Sequence, residues 1–224
     1  ICPQAPDATP NGVEQWQATE GSIELTSTAV KTTDATTGFT KITGYVYNIK
    51  LKSIVFIKPD GPQIQDILFG NYSGPASPLA FGFDAEADKS TCSAGDNRIF
   101  NFSGSEAIIF DTANYSTLFA NAVTTTPRTA LINADNKLTY KLFTNTVNNA
   151  YFCPATPPAT PVLAQEWNAV NGVEATSGII EVTTTTSGTS FLHTIHLKRV
   201  IMKRGNSDFT LGDDYIFGSF LTTP

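Results

Sequence analysis

Gly21-Ser22-Ile23-Glu24-Leu25-Thr26 and Gly178-Ile179-Ile180-Glu181-Val182-Thr183 carry one pattern of apolar and polar side chains at two places in a 224-residue chain. Ile23 and Leu25 fall on one side of an extended backbone, with Glu24 and Thr26 on the other. This period of two is the mark of a half-buried strand. The match continues in order on both sides. Upstream, Cys2-Pro3, Pro6, Ala8-Thr9-Pro10 and Trp16 answer Cys153-Pro154, Pro157, Ala159-Thr160-Pro161 and Trp167 at a constant offset of 151. Downstream, Tyr45 to Lys52 answers Phe191 to Lys198, and Asp66 to Gly70 answers Asp214 to Gly218. Four matched blocks in one order read as an internal duplication. We designate the copies A (1–75) and A′ (152–224), with a unique segment B (76–151) between them.

Composition agrees with strands throughout. Charged residues make up 15% of the chain, well below the usual share, and Thr, Ser, Asn, Gly and Pro are abundant. Branched Thr favours extended backbone, while Gly, Pro and Asn supply turns. In copy A, Tyr45, Tyr47, Ile49 and Leu51 share a face opposite Asn48, Lys50 and Lys52. The alternation then breaks into an apolar run, Ile54 to Ile57, mirrored by Val200 to Met202. Such a run fits a strand buried on both sides or a bend that switches faces. Segment B offers strands at 98–103, 106–111, 129–133, 137–143 and 149–153, with Ala134-Asp135-Asn136 as a hairpin turn. Tyr115, Leu118, Phe119 and Ala122 have helical spacing, enough for a short helix. The expected fold is all-β, with antiparallel β-sandwich-like modules in the order A–B–A′. We expect a first domain over 1–151 and a second module over 152–224, joined by a Pro-rich linker at 154–161. A copy of about 75 residues buries only about 60% of its unfolded surface, so A′ must lean on A or on B.

A formal net charge of −6 argues against nucleic-acid partners, because phosphate binding needs a cationic surface. No apolar run reaches the length of a transmembrane helix. With Ile1 in place of an initiating Met, this composition leads us to expect a processed chain that is secreted or held at the cell surface or outer membrane, with a lipid anchor upstream compatible with it. Cys2, Cys92 and Cys153 permit one disulfide; Cys92–Cys153 is favoured slightly over Cys2–Cys92.

The search for chemistry returns few candidates. His193 and His196 have H-x-x-H spacing, but three apart on a strand they point to opposite faces and cannot share a metal. Asp84, Glu86 and Asp88 alternate like the start of a calcium loop, yet Lys89 and Gly95 stand where such a loop needs Gly and Glu. Calcium is therefore a candidate ligand of this acidic turn, and no other cofactor is expected. Asp208, Asp213 and Asp214 form a second acidic patch. Glu24 and Glu181 are repeated carboxylates on the polar phase of their strands, which duplication explains without glycoside cleavage. No nucleophile elbow or phosphate loop is present. Trp16 and Trp167 precede the first strand of each copy, where an indole either plugs the core or offers a stacking platform to a sugar. Tyr45 and Tyr47 raise the same choice.

The Cys-Pro entry rich in proline, the G-x-I-E-[LV]-T strand and the aromatic, Lys-bearing strand after it resemble uncharacterised secreted or lipid-anchored β-rich proteins of Bacteroidetes-type bacteria. That resemblance implies an envelope or extracellular location and transfers no activity. Together these readings lead us to expect a non-enzymatic structural or adhesion-like protein, its partner left open between a glycan and another surface protein. A carbohydrate-binding module of a polysaccharide-utilisation system is the alternative, and a hydrolase with an unrecognised site the third reading.

Overall fold

The computed structural model describes residues 14–76, 79–89, 96–154 and 156–224. Its strands are β1 (Gln17–Thr33), β2 (Thr40–Lys58), β3 (Gly61–Pro75), β4 (Asp88–Lys89), β5 (Arg98–Ser103), β6 (Glu106–Thr112), β7 (Arg128–Leu131), β8 (Asn136–Phe143), β9 (Leu163–Ala169), β10 (Ile179–Ser187), β11 (Ser190–Lys198), β12 (Ile201–Arg204), β13 (Ser207–Thr210) and β14 (Tyr215–Thr222). The helical spacing in segment B yields a single turn, α1 (Tyr115–Leu118). The fold is all-β.

The chain divides into two compact units. One takes the described residues up to Thr28 together with Val46–Gly74; the other takes Ala29–Tyr45 and Pro75–Pro224. The strands β1, β2 and β3 form a three-stranded sheet in that order, and the division cuts β1 after Thr28 and β2 after Tyr45.

The larger unit is sandwich-like. A seven-stranded sheet runs β13-β12-β9-β8-β6-β5-β4, and a four-stranded sheet runs β14-β11-β10-β7. Ile108 and Phe110 of β6, Leu138 and Tyr140 of β8 and Trp167 of β9 share one core with Ile180, Val182, Ile195, Leu197 and Phe217 of the smaller sheet. Each large apolar side chain so buried stabilises the fold by about 1.5–3 kcal/mol. The strand β6 is apolar on both phases because both its faces are covered. Ala107 and Ile109 enter a second cluster with Phe100, Phe143, Val147 and Phe152.

Several expectations are corrected by these pairings. Segment B pairs with A′, β8 with β9 and β7 with β10, across the expected boundary at 151/152, and Ala29–Tyr45 of copy A fall in the same unit. The proline-rich stretch near 154–161 therefore connects neighbouring strands of one sheet rather than two domains. Ala134-Asp135-Asn136 does not close a hairpin either, since β7 and β8 lie in different sheets. The turn instead carries the chain between them, held by Asn133, whose side-chain oxygen accepts from the backbone N–H groups of Asp135 and Asn136 at 2.9 and 3.0 Å. The strand expected at 149–153 is a 3-10 turn, Asn149–Phe152. There Phe152 stacks with Phe100 and Phe102 at 5.1 and 5.7 Å between centroids, and filling that cluster outweighs strand propensity.

The apolar runs behave as bends. Arg199 has φ 48° and Ser53 has φ 52°, a left-handed conformation uncommon for non-glycine residues. In the second copy this bend ends β11 in the four-stranded sheet and starts β12 in the seven-stranded one. Leu197 before the switch and Val200 and Met202 after it all stay in the core.

Candidate functional site

Positions aligned by the sequence repeat make similar contacts. Lys52 pairs with Asp66, and Lys198 with Asp214. The Asn48 amide donates to Asn71 at 2.8 Å, and Thr194 meets Ser219 at 2.8 Å. Tyr47 stacks on Tyr72 at 6.1 Å, and His193 lies against Phe220 at 5.3 Å between centroids. Gly70 and Gly218 share a positive φ of 139° and 143°.

Burial separates the copies sharply. Ile180 and Phe217 are 0% exposed, whereas their counterparts Ile23 and Phe69 are 70% and 69% exposed. Leu25 and Tyr72 are exposed as well, against buried Val182 and Phe220. Sequence reading expected both copies to hide alternate side chains from water; only the second does. The contrast belongs to one face, since Leu68 and its counterpart Ile216 are exposed in both copies. Leaving Ile23, Leu25, Phe69 and Tyr72 in water forgoes about 1.5–3 kcal/mol for each.

The two tryptophans follow the same division. Trp167 is 2% exposed and its indole N–H donates to Gln165 at 3.0 Å. It plugs the core against Phe209, 5.0 Å away, and presents no ring face to a ligand. Trp16 is 36% exposed, lies edge-on to Phe56 at 6.3 Å and carries the Lys58 ammonium 3.8 Å above its ring. The positions aligned with Trp16 and Phe56 in the second copy, Trp167 and Met202, are core residues. Of the other candidate platform residues, Tyr47 is half-buried on the stack with Tyr72, and Tyr45 is half-buried in the larger unit.

The ionisable candidates resolve into structural roles. Asp84 and Glu86 are exposed, and the Asp88 side chain lies outside the described residues. Among the described residues, no group of three or more His, Cys, Asp or Glu side chains is arranged to hold a metal ion. In the second acidic patch, Asp208 takes Lys31 at 2.6 Å, while Asp214 takes Lys198 at 2.6 Å and His196 at 2.8 Å. Burial tends to raise the Asp214 carboxyl, but those two hydrogen bonds outweigh it and hold the group below its ordinary range. Glu181 faces Lys198 at 3.5 Å. His193 is fully buried between Thr184 and Thr222, each 2.8 Å away. Burial, assisted by the Arg128 cation, lowers it to about 4. Cys153 follows the 3-10 turn; Cys2 and Cys92 lie outside the described residues, and so does the expected pairing.

Sequence reading missed Glu106. Its buried carboxylate accepts from the backbone N–H groups of Ala80 and Phe81 at 2.7 and 2.8 Å. Burial, and then this carboxylate, push the hydroxyls of Tyr140 and Tyr215 well above the ordinary tyrosine range. The signal was present, because Glu106 shares the period-two phase of Ile108 and Phe110. A polar recess of about 340 Å³ is lined by Asp96, Arg98, Asp111 and Lys137 among others. Within it Arg98 holds Asp96 through paired hydrogen bonds of 2.9 and 2.6 Å.

The larger unit is an antiparallel, sandwich-like pair of β-sheets. No known protein family, curated protein or solved structure matches the chain. No helix among the described residues is long and apolar enough to cross a membrane.

Proposed function

We propose that this chain is a non-catalytic structural or binding protein of the extracellular space or cell surface, and that the open face of the β1-β2-β3 sheet is its contact surface. The observation that carries the reading is the exposure of Ile23, Leu25, Phe69 and Tyr72 at positions whose counterparts form a sandwich core. The sequence repeat supports it, since aligned positions such as Lys52–Asp66 and Lys198–Asp214 make similar contacts while Ile23 is exposed and Ile180 buried. Composition and the want of a transmembrane run in the sequence support the location.

A second reading, recognition of glycans, is favoured by Trp16 and the Tyr47–Tyr72 stack, which leave aromatic surface exposed. A glycan array probed with the wild-type chain and with Trp16→Ala and Tyr72→Ala separates the two. The leading reading expects no glycan retained above background by the wild-type chain, and binding of an apolar fluorescent dye that falls in a Leu25→Asp, Phe69→Asp double variant. Glycan binding lost in the aromatic variants supports the second reading instead.

A further inference from the structure

In the second copy, segment B does three things to the counterpart strands. It covers their face: Phe110 lies 6.4 Å from Phe217, edge to face, and Ile108, Leu138 and Tyr140 fill the same core. It closes one edge: β7 pairs with β10, Ala130 opposite Ile180. It also closes the other edge, where the Ala87 N–H donates to Ser219 and the Ser219 N–H to Ala85, both at 2.8 Å.

Each of these positions is open in the first copy. The apolar face is exposed. The strand β1 is the edge of its sheet at Ser22–Leu25, and β3 is the other edge at Gly70–Tyr72. Gly70 is the sharpest indicator. A Cβ on Gly218 would come within 2.9 Å of the Ala87 Cβ and 3.2 Å of the Asn101 side chain, both from segment B, whereas a Cβ on Gly70 would meet nothing within 4 Å. The first copy thus keeps the glycine and its backbone conformation at a place where nothing among the described residues packs.

We propose that the open face and both edges of the first copy dock a second β layer of the segment-B kind. This layer has alternate large apolar side chains on one face, a β7-like strand for the β1 edge, and an Ala87-like residue over Gly70. The inference rests on the reading of this face as a contact surface and names its occupant. The order within the larger unit fixes the source. Segment B reaches A′ through Cys153-Pro154 and the prolines up to Pro161, and the same Cys-Pro and proline motif at 2–10 leads into Trp16. The layer is therefore carried on the same polypeptide, joined through Cys2, so that the protein is a tandem array of B–A modules of about 150 residues.

The test is a chain in which a second copy of 76–151 is fused ahead of Ile1, compared with the 224-residue chain. Docking predicts that amide exchange at 22–25 and 70–72 slows by roughly 100-fold or more, that apolar dye binding is lost, and that light scattering gives a monomer. Leu25→Asp with Phe69→Asp in the extended chain should restore fast exchange and dye binding; these side chains are exposed in the shorter chain, so the substitutions leave its fold intact. Unchanged exchange on extension, with the dye still bound, overturns the docked layer while the contact-surface reading stands. A 224-residue chain that binds no dye removes both, and one that already dimerises with 22–25 and 70–72 protected makes a second copy the occupant.

Discussion

The Thr184 hydroxyl lies 2.8 Å from Nδ1 of His193 and also accepts a hydrogen bond from Arg128 at 2.8 Å. Having accepted there, the hydroxyl keeps its own proton to give to Nδ1, the bare nitrogen of the neutral imidazole in this arrangement. Nε2–H donates in turn to Thr222, whose hydroxyl donates to Asn121. A second proton on the ring would meet the Thr184 proton head-on beside a guanidinium.

That geometry sets a pH dependence. His193 falls from an ordinary value of 6.5 to about 4 in the folded chain, so between those values the unfolded chain binds more protons and stability drops as pH falls. The loss begins near 6.5, is complete near 4, and amounts to about 3 kcal/mol at 1.36 kcal/mol per pH unit. Chemical denaturation from pH 7.5 to 4 should show this slope, and His193→Leu, though less stable at pH 7, should flatten it. An equal slope in the variant would refute the assignment.

Glu106 ties Ala80 and Phe81 to the sandwich through two charge-assisted hydrogen bonds. In Glu106→Gln one carboxylate oxygen becomes an amide that cannot accept, leaving a backbone donor unpaired at a cost of about 2 kcal/mol. The denaturation midpoint should fall, with faster exchange at the amides of 80 and 81 ahead of the rest of the unit. Uniformly faster exchange across the unit would contradict a local latch.

The two tryptophans should differ in cost and in access. Trp167→Ala empties a packed core position and should destabilise its unit by about 3–5 kcal/mol, whereas Trp16→Ala removes a ring that is already part-exposed and should cost less than half as much. Iodide should quench the emission of a Trp167→Phe variant, which reports Trp16, and barely touch that of Trp16→Phe.

Gly70 and Gly218 allow a matched comparison. Alanine is strained at both, because their φ values are nearly equal, but only at Gly218 does the new Cβ strike Ala87. Gly218→Ala should therefore cost about 1–3 kcal/mol more than Gly70→Ala, read as the difference in exchange protection between the β14 and β3 strands. Equal costs would mean that backbone strain alone requires these glycines.

Strand positions were largely legible in the sequence, because a period of two in side-chain polarity follows directly from strand geometry. Arg98–Ser103 is a strand at the bounds expected, and His193 and His196 fall on opposite faces of β11, one buried and one not. The apolar run after Lys198 was legible as a bend or a doubly buried strand, and a left-handed Arg199 makes it a bend. Partnership was less legible. The turn residues at 134–136 fitted a hairpin, but local chemistry specifies only that the chain reverses, not which sheet receives it.

What the sequence determined by itself is the extended backbone, the phase of its side chains and the recurrence of one strand pattern in the first and last thirds. These are local properties, set by neighbours along the chain. What only the tertiary structure decided is that segment B covers the second copy, and that Ile23, Leu25, Phe69 and Tyr72 of the first lie exposed. Ile23 and Ile180 are the same residue in the same local pattern; one lies in water and the other in a core because burial depends on side chains brought from far along the chain, and a local pattern cannot say whether they arrive.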